Sequence, residues 1–297
     1  MEANYRLAKK AYEDDLREIV NCTVGGKLEL FRRAKLEDEL RSSIKYTILS
    51  SFNETNEQER QKKEKAILNN TSQRILKYRN KHKGERCVII GNGSSLNDMD
   101  LSFLKNEICF GLNRIYLGFQ AFDFIPTYYV AVNELIIKQS KNEISQIACT
   151  KFISNRGMKY LQPQEDLIFI KTNPYSGPDF STDLVQGCKE GGSVTYVAMQ
   201  LAYYMGFESI ILIGLDHNFG KVGIPNQEFV CLESYPNHFH PNYFTSAEKW
   251  QFPDLVDIER HYKIAQTYFY LGNKNILNAT FMSRCHIFKK VSYQDFL

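Results

Sequence analysis

The sequence predicts an α/β protein: a Rossmann-like, doubly wound, mostly parallel sheet with helices on both faces and an N-terminal helical appendage. Three observations predict it. Short apolar runs alternate with segments of helical period, as βαβ units require. The runs are apolar at nearly every position, the pattern of strands covered on both faces. Two of them end in glycine turns where the chain must pass from a buried strand or into a buried helix.

The strands are predicted at 87–90, 107–112, 128–132, 151–154, 167–170, 210–213 and 276–277, and the helices at 135–147, 193–205 and 255–270. The first run, Arg86-Cys-Val-Ile-Ile, leads into Gly91-Asn-Gly-Ser-Ser-Leu96. There Gly91 and Gly93 are expected to take positive φ and open backbone N–H groups to a phosphate, while Asn92, Ser94 and Ser95 cap the next helix. The turn is neither G-x-G-x-x-G, since position 96 is Leu, nor a P-loop, since Lys-Ser/Thr is missing. Tyr128 and Tyr129 read as core strand residues, and Arg114 as the partner of a structural carboxylate.

Along 191–206, Val194, Val197, Ala198, Leu201, Ala202 and Met205 fall at helical spacing, with Ser193 as N-cap and Gly206 as C-terminal stop. The next run, Ser209-Ile-Ile-Leu-Ile-Gly-Leu-Asp216, is a central strand that delivers Gly214, Asp216 and His217 at its carboxyl end. Open α/β sheets bind ligands at that edge. Two glycine turns and an acid at one edge therefore predict a nucleotide site.

The chain has 297 residues, 43% hydrophobic and 24% charged, enough to bury an ordinary core. A net charge of +3 without an aromatic-basic platform argues against a nucleic-acid partner. The basic residues Arg74, Lys77, Arg79, Lys81, Lys83 and Arg86 read as a solvated helix face, weak contact with an anionic membrane surface being the alternative. Seven cysteines (22, 87, 109, 149, 188, 231 and 285) without a C-x-x-C pair fit reduced thiols. No signal peptide or membrane span is expected, so the reading is cytoplasmic.

The two ends of the chain match each other without gaps, 5–40 against 262–297. Ala8 matches Ala265, Ile19 Ile276, Asn21 Asn278, Thr23 Thr280, Phe31 Phe288 and Asp38 Asp295, with Arg32-Arg33 in register with Lys289-Lys290. Each copy reads as an amphipathic helix, a short strand, a turn and another short strand. The expected organisation is an appended unit at 1–40, the tail of a lost or separate upstream domain, a helical linker at 41–83, and a nucleotide-binding catalytic domain at 84–297. An apolar face on the first copy (Leu7, Ala11, Ile19, Leu28, Leu30, Phe31) would then be covered by a surface contact, which implies a homo-oligomer.

The order Gly-Asn-Gly-Ser-Ser-Leu, Gly111-Leu-Asn-Arg-Ile-Tyr116, Gly-Gly-Ser-Val-Thr, Gly214-Leu-Asp216 and Asn237-His-Phe-His240 resembles the CMP-sialic-acid-dependent sialyltransferases of glycosyltransferase family 42. It is more closely similar to the bacterial domain of unknown function 115, also labelled MptE-like after an archaeal 6-hydroxymethylpterin diphosphokinase. The resemblance covers about 84–297. It implies a metal-independent, inverting transfer from a CMP-sialic-acid-like donor to a glycan or protein acceptor in surface glycan synthesis, with no cofactor beyond that co-substrate. It assigns Gly91, Asn92, Gly93 and Ser95 to phosphate and sugar, Asn113 to the nucleotide, and Gly192 and Ser193 to phosphate or donor carboxylate. Asp216 would orient ribose or donor, and His238 or His240 would be the general base, His238 being preferred because His240 precedes Pro241.

Departures from the pattern are Ser94, where the sialyltransferases have Pro, and His217, Asn218 and Phe219, where they have the tyrosines that steady the leaving phosphate. The chemistry needs phosphate charge neutralised by N–H groups and a helix dipole, and a hydroxyl proton accepted by a histidine titrating near neutrality. A diphosphokinase using ATP and Mg²⁺ held by Asp98, Asp100 or Asp216 is the alternative, and a metal pair formed by His238 and His240 with Asp216 and His217 a minor one. A non-catalytic nucleotide-binding scaffold is the third reading.

Overall fold

The computed structural model describes residues 2–14, 17–24, 27–172, 179–218, 223–230, 237–244 and 248–296, the side chains of 2, 41–57 and 60 excepted. Cys231, Phe219 and Leu297 lie outside the described residues. The chain divides into two units, Met1–Lys63 and Glu64–Leu297.

In the first unit, α1 (Glu2–Asp14) precedes β1 (Val20–Asn21) and β2 (Arg32–Arg33), which pair in parallel, and α2 (Leu36–Leu76) begins there. The Asn21 side chain closes the turn between the strands: Nδ2 donates to Leu28 O at 2.9 Å and Oδ1 accepts from Thr23 N at 3.0 Å. Phe31 is buried against Tyr5, and Leu7, Val24, Leu36 and Leu40 are exposed.

The second unit is built on β3 (Arg86–Ile90), β4 (Cys109–Leu112), β5 (Tyr128–Ala131), β6 (Thr150–Ser154), β7 (Leu167–Ile170), β8 (Ser209–Ile213), β11 (Asn275–Asn278) and β12 (Lys289–Lys290). They form one eight-stranded sheet in the order β12-β11-β8-β3-β4-β5-β6-β7, parallel at every pairing. The chain steps outward from β3 to β7 and then returns to lay β8 on the other side of β3. The strand order therefore reverses between β3 and β8, where crevices open in such sheets.

Alternate residues of each strand feed two cores, as expected of strands covered on both faces. Cys87 and Ile89 of β3 face α6 (Val194–Met205) and α7 (Leu255–Leu271), while Val88 and Ile90 join a second core with Leu96, Ile115, Ile137 and Trp250. Helix α6 is capped as its sequence predicts. Ser193 Oγ accepts from Thr195 N at 3.2 Å, and Gly206 ends the helix with φ +90°. Tyr128 and Tyr129 are fully buried. The six described cysteines are free.

Some local expectations differ. No α-helix follows β3; tight 3-10 turns at Ser94–Asp98 and Ser102–Asn106 take its place. The helix expected over 135–147 is two, α4 (Glu134–Gln139) and α5 (Lys141–Gln146), divided at Ser140, whose φ of −110° and ψ of 22° leave the helical region. Strands β9 (Glu228–Val230) and β10 (Lys249–Gln251) form an antiparallel pair that the sequence does not announce. A four-residue helix, α3 (Phe119–Phe122), lies between β4 and β5.

The tail α7-β11-β12 repeats the internal bonds of α1-β1-β2. Asn278 Oδ1 accepts from Thr280 N at 3.1 Å and Nδ2 donates to Cys285 O at 3.3 Å, and Leu277 and Asn278 pair with Lys289 and Lys290 as Val20 and Asn21 pair with Arg32 and Arg33. In the tail, β11 also pairs with β8. Among the described residues no helix is long and apolar enough to cross a membrane.

Candidate functional site

A cavity of about 180 Å³ opens at the carboxyl ends of β3, β4 and β8, at the point where the strand order reverses. Gly91, Asn92 and Gly93 line it from the first turn, Asn113 from the end of β4, and Gly214 and Asp216 from the end of β8. Ser193, Val194 and Thr195 line it from the first turn of α6, and Asn237, His238 and Tyr243 from the loop before β10. Of the residues singled out from sequence, Ser94, Ser95, Gly192 and His240 do not line it. His240 Nδ1 accepts from Asn242 N at 3.1 Å and so starts the turn Pro241–Tyr243.

The first glycine turn works differently from its sequence expectation. Neither Gly91 nor Gly93 has positive φ, and Gly93 is extended at φ −66° and ψ 152°. Glycine is required there for close approach. A Cβ on Gly91 would lie 2.3 Å from Gly214 O, and one on Gly93 would lie 2.1 Å from an Asp216 carboxylate oxygen. Three of the turn's N–H groups are consumed inside the protein: Gly91 N donates to Ile213 O at 2.8 Å, Gly93 N to Gly214 O at 2.9 Å, and Ser95 N to Asp216 Oδ2 at 3.0 Å. These three are not directed at a phosphate.

Asp216 is therefore the cap of the Ser94–Asp98 turn, reaching it from just beyond the neighbouring strand. Its carboxylate accepts from Ser94 Oγ at 3.2 Å and from Ser95 N and Oγ. Side chains of Asn92, Ser94 and Ser95 do not cap that turn. Arg114, 4% exposed, donates to Glu248 at 3.0 Å and to Tyr243 O at 2.8 Å, and lies over the Trp250 ring at 4.8 Å.

His238 is held by the turn it faces. The backbones of Gly93 and His238 form an antiparallel bridge, Phe239 N donates to Asn92 O at 3.1 Å, and Asn97 Nδ2 donates to Phe239 O at 2.8 Å. The imidazole stacks on Tyr243 at 3.8 Å between centroids and meets the edge of Phe244 at 4.7 Å. Burial among these rings lowers its pKa to about 4. The expectation of a histidine titrating near neutrality is corrected accordingly: at pH 7 this one is neutral, and a weaker base than an exposed imidazole.

Three polar atoms in the lining are buried and have no hydrogen-bond partner among the described residues: Asn92 Oδ1, Asn113 Oδ1 and His238 Nδ1. Buried polar atoms are nearly always paired, so three orphans among the residues of one cavity are unusual. The Asn92 amide is oriented by its Nδ2, which donates to Leu112 O at 3.0 Å. Its carbonyl oxygen is buried without a partner among the described residues.

Tyr262 was not singled out from sequence, and for His217 the sequence supplied the place at the strand end but not the partner. Tyr262 of α7 stands with its hydroxyl 3.2 Å from Ser193 Oγ at the start of α6, and burial raises its pKa to about 12. His217, in the left-handed region at φ +53°, places Nε2 3.0 Å from Glu259. Both depend on α7 packing over the carboxyl edge, which no local spacing announces. No three His, Cys, Asp or Glu side chains gather at a point among the described residues, the His238–His240 pair included.

Residues 62–222 match the family described as 6-hydroxymethylpterin diphosphokinase MptE-like. The chain belongs to the MptE-like family. A solved structure similar to this MptE-like chain is the Maf glycosyltransferase from Magnetospirillum magneticum AMB-1, at TM-score 0.46 and 14% identity over 77% of this chain. The chain spans 39% of that protein's length. A comparison with curated proteins gives no match.

Proposed function

We propose that this MptE-like chain is a nucleotide-dependent transferase, and specifically a glycosyltransferase whose donor is a CMP-linked sugar. The observation that carries the reading is the set of three orphan atoms on one cavity. Two are amide oxygens, which need a hydrogen donor. Ribose hydroxyls, an amino base and sugar hydroxyls supply donors, whereas a phosphate at neutral pH supplies acceptors.

Charge supports a donor of low charge. No Lys or Arg lines the cavity among the described residues. The N-terminal dipole of α6, with Ser193, Thr195 and the Tyr262 hydroxyl beside it, supplies about half a positive charge. That suits the single phosphodiester charge of a CMP-linked sugar better than the several charges of ATP. In the transfer, His238 accepts the acceptor's hydroxyl proton while the hydroxyl oxygen attacks the anomeric carbon. The bond from that carbon to the phosphate oxygen breaks, and its electron pair leaves with CMP.

The family's description favours a diphosphokinase as the second reading. Its Mg²⁺ would need free carboxylates, and the residues do not fit. Asp216 is the one carboxylate among the described lining residues, and the serines hold both of its oxygens. Asp98 and Asp100 do not line the cavity, and Asp100 accepts from Ser102 N.

A thermal-shift comparison of CMP, UDP, GDP and ATP, each with and without Mg²⁺, tests the reading, since a ligand bound only by the folded state raises the melting temperature. CMP should stabilise the protein irrespective of Mg²⁺, and EDTA should leave transfer intact. Stabilisation by ATP alone, dependent on Mg²⁺, would overturn the glycosyltransferase in favour of the diphosphokinase.

A further inference from the structure

A second cavity of similar size, about 180 Å³, shares Asn237, His238 and Tyr243 with the first. Its other walls include Phe229, Phe244, Trp250 and Phe252. We propose that it is the acceptor subsite and that it takes a carbohydrate ring, with one ring hydroxyl directed at His238. The inference rests on the first cavity being the donor site.

Two properties of the walls select this class of ligand. Phe229 and Phe252 are stacked with centroids 4.3 Å apart, and both remain partly exposed. Aromatic faces carry negative charge density and attract the weakly positive C–H face of a sugar ring. Trp250, in contrast, is 6% exposed, and its Nε1 is buried without a hydrogen-bond partner among the described residues. His238 Nδ1 is in the same condition.

These orphans make complementary demands. The indole N–H can only donate, and an imidazole neutral at pH 7 can accept. A hydroxyl satisfies both kinds, accepting from one and donating to the other. A phosphate or carboxylate offers acceptors alone, and an aliphatic chain offers neither. His238 lines both cavities, so an acceptor hydroxyl in the second would meet its base at the wall that faces the donor.

Trp250 is the only tryptophan in the sequence, so its fluorescence reports this cavity directly. Methyl glucoside, methyl galactoside and methyl N-acetylglucosaminide would be titrated into the full-length protein with saturating CMP, CMP binding being followed separately by calorimetry. At least one glycoside should change the Trp250 emission saturably. Phe229→Ala should weaken that binding about threefold to tenfold, the worth of an aromatic contact, with CMP affinity unchanged. Trp250→Phe, followed by ligand-observed NMR, should weaken it by a similar factor through loss of the N–H donor.

A protein that binds CMP but shows no saturable response to any glycoside overturns the acceptor inference alone. So does a response that Phe229→Ala leaves unchanged, or a response to a flat heterocycle such as a pterin with none to the sugars. Failure to bind CMP in calorimetry strikes the donor reading, and the acceptor inference falls with it.

Discussion

The Tyr262 hydroxyl lies 3.2 Å from Ser193 Oγ and fastens α7 to the first turn of α6. Burial keeps the phenol protonated across the physiological range, so it stands as a donor beside the positive end of the α6 dipole. A hydrogen bond to a charged group is worth roughly 1.5–3 kcal/mol. Tyr262→Phe should therefore weaken CMP binding roughly tenfold to a hundredfold in calorimetry. Unchanged affinity would show that phosphate does not sit at this helix.

Gly93 and Asp216 are packed so closely that a methyl group at 93 meets the carboxylate. Gly93→Ala should destabilise the protein by about 1–3 kcal/mol, the usual cost of overpacking, and displace the turn that holds His238. Asp216→Ala removes the obstacle together with the turn's cap. The double substitution should then cost less than the sum of the two single ones, and strict additivity in a denaturation cycle would refute direct contact.

His238→Ala should lower turnover by roughly two to four orders of magnitude with donor affinity nearly kept, as loss of a general base does. Retained turnover would remove His238 from the chemistry.

The same ring makes a pH prediction. Its folded pKa of about 4 lies below the ordinary histidine value of 6.5. Between these values the unfolded chain binds a proton that the folded protein excludes, so stability rises with pH through this window and is level above it. The contribution lost on going from pH 7 to pH 4 is about 3 kcal/mol. His238→Phe should reduce that loss when urea unfolding is compared at the two pH values. Equal pH dependence in the two proteins would show that the imidazole is readily protonated in place.

A chain beginning at Glu64 retains every described residue of both cavities. It should bind CMP as the full chain does. Loss of affinity in a folded truncation would place the first unit in the site.

The sheet was legible because buried parallel strands have an unmistakable composition, and α6 because Ser193 and Gly206 punctuate it. The gathering of Gly91, Ser193 and Asp216 at one edge followed from the rule for open α/β sheets, whereas Asn113 and His238 were expected there only from the family resemblance. What the sequence misled about was conformation and bonding. Glycine serves both positive φ and close approach, and only the position of Asp216 just beyond the neighbouring strand distinguishes them for Gly93. The depressed pKa of His238 comes from Tyr243 and Phe244 closing over it, and the contacts of Tyr262 and Glu259 from helix packing. None of these leaves a periodicity to read.

Ser94 and Asp216 are bonded across 122 residues of chain, and β3 waits equally long for β8. Closing so large a loop is entropically costly, and sheets that depend on such pairings assemble slowly. During synthesis the glycine turn emerges with its capping carboxylate not yet made. A nascent or interrupted chain that ends before β8 thus has no formed pocket with which to sequester a nucleotide, and ligand capture is confined to polypeptides whose sheet is complete.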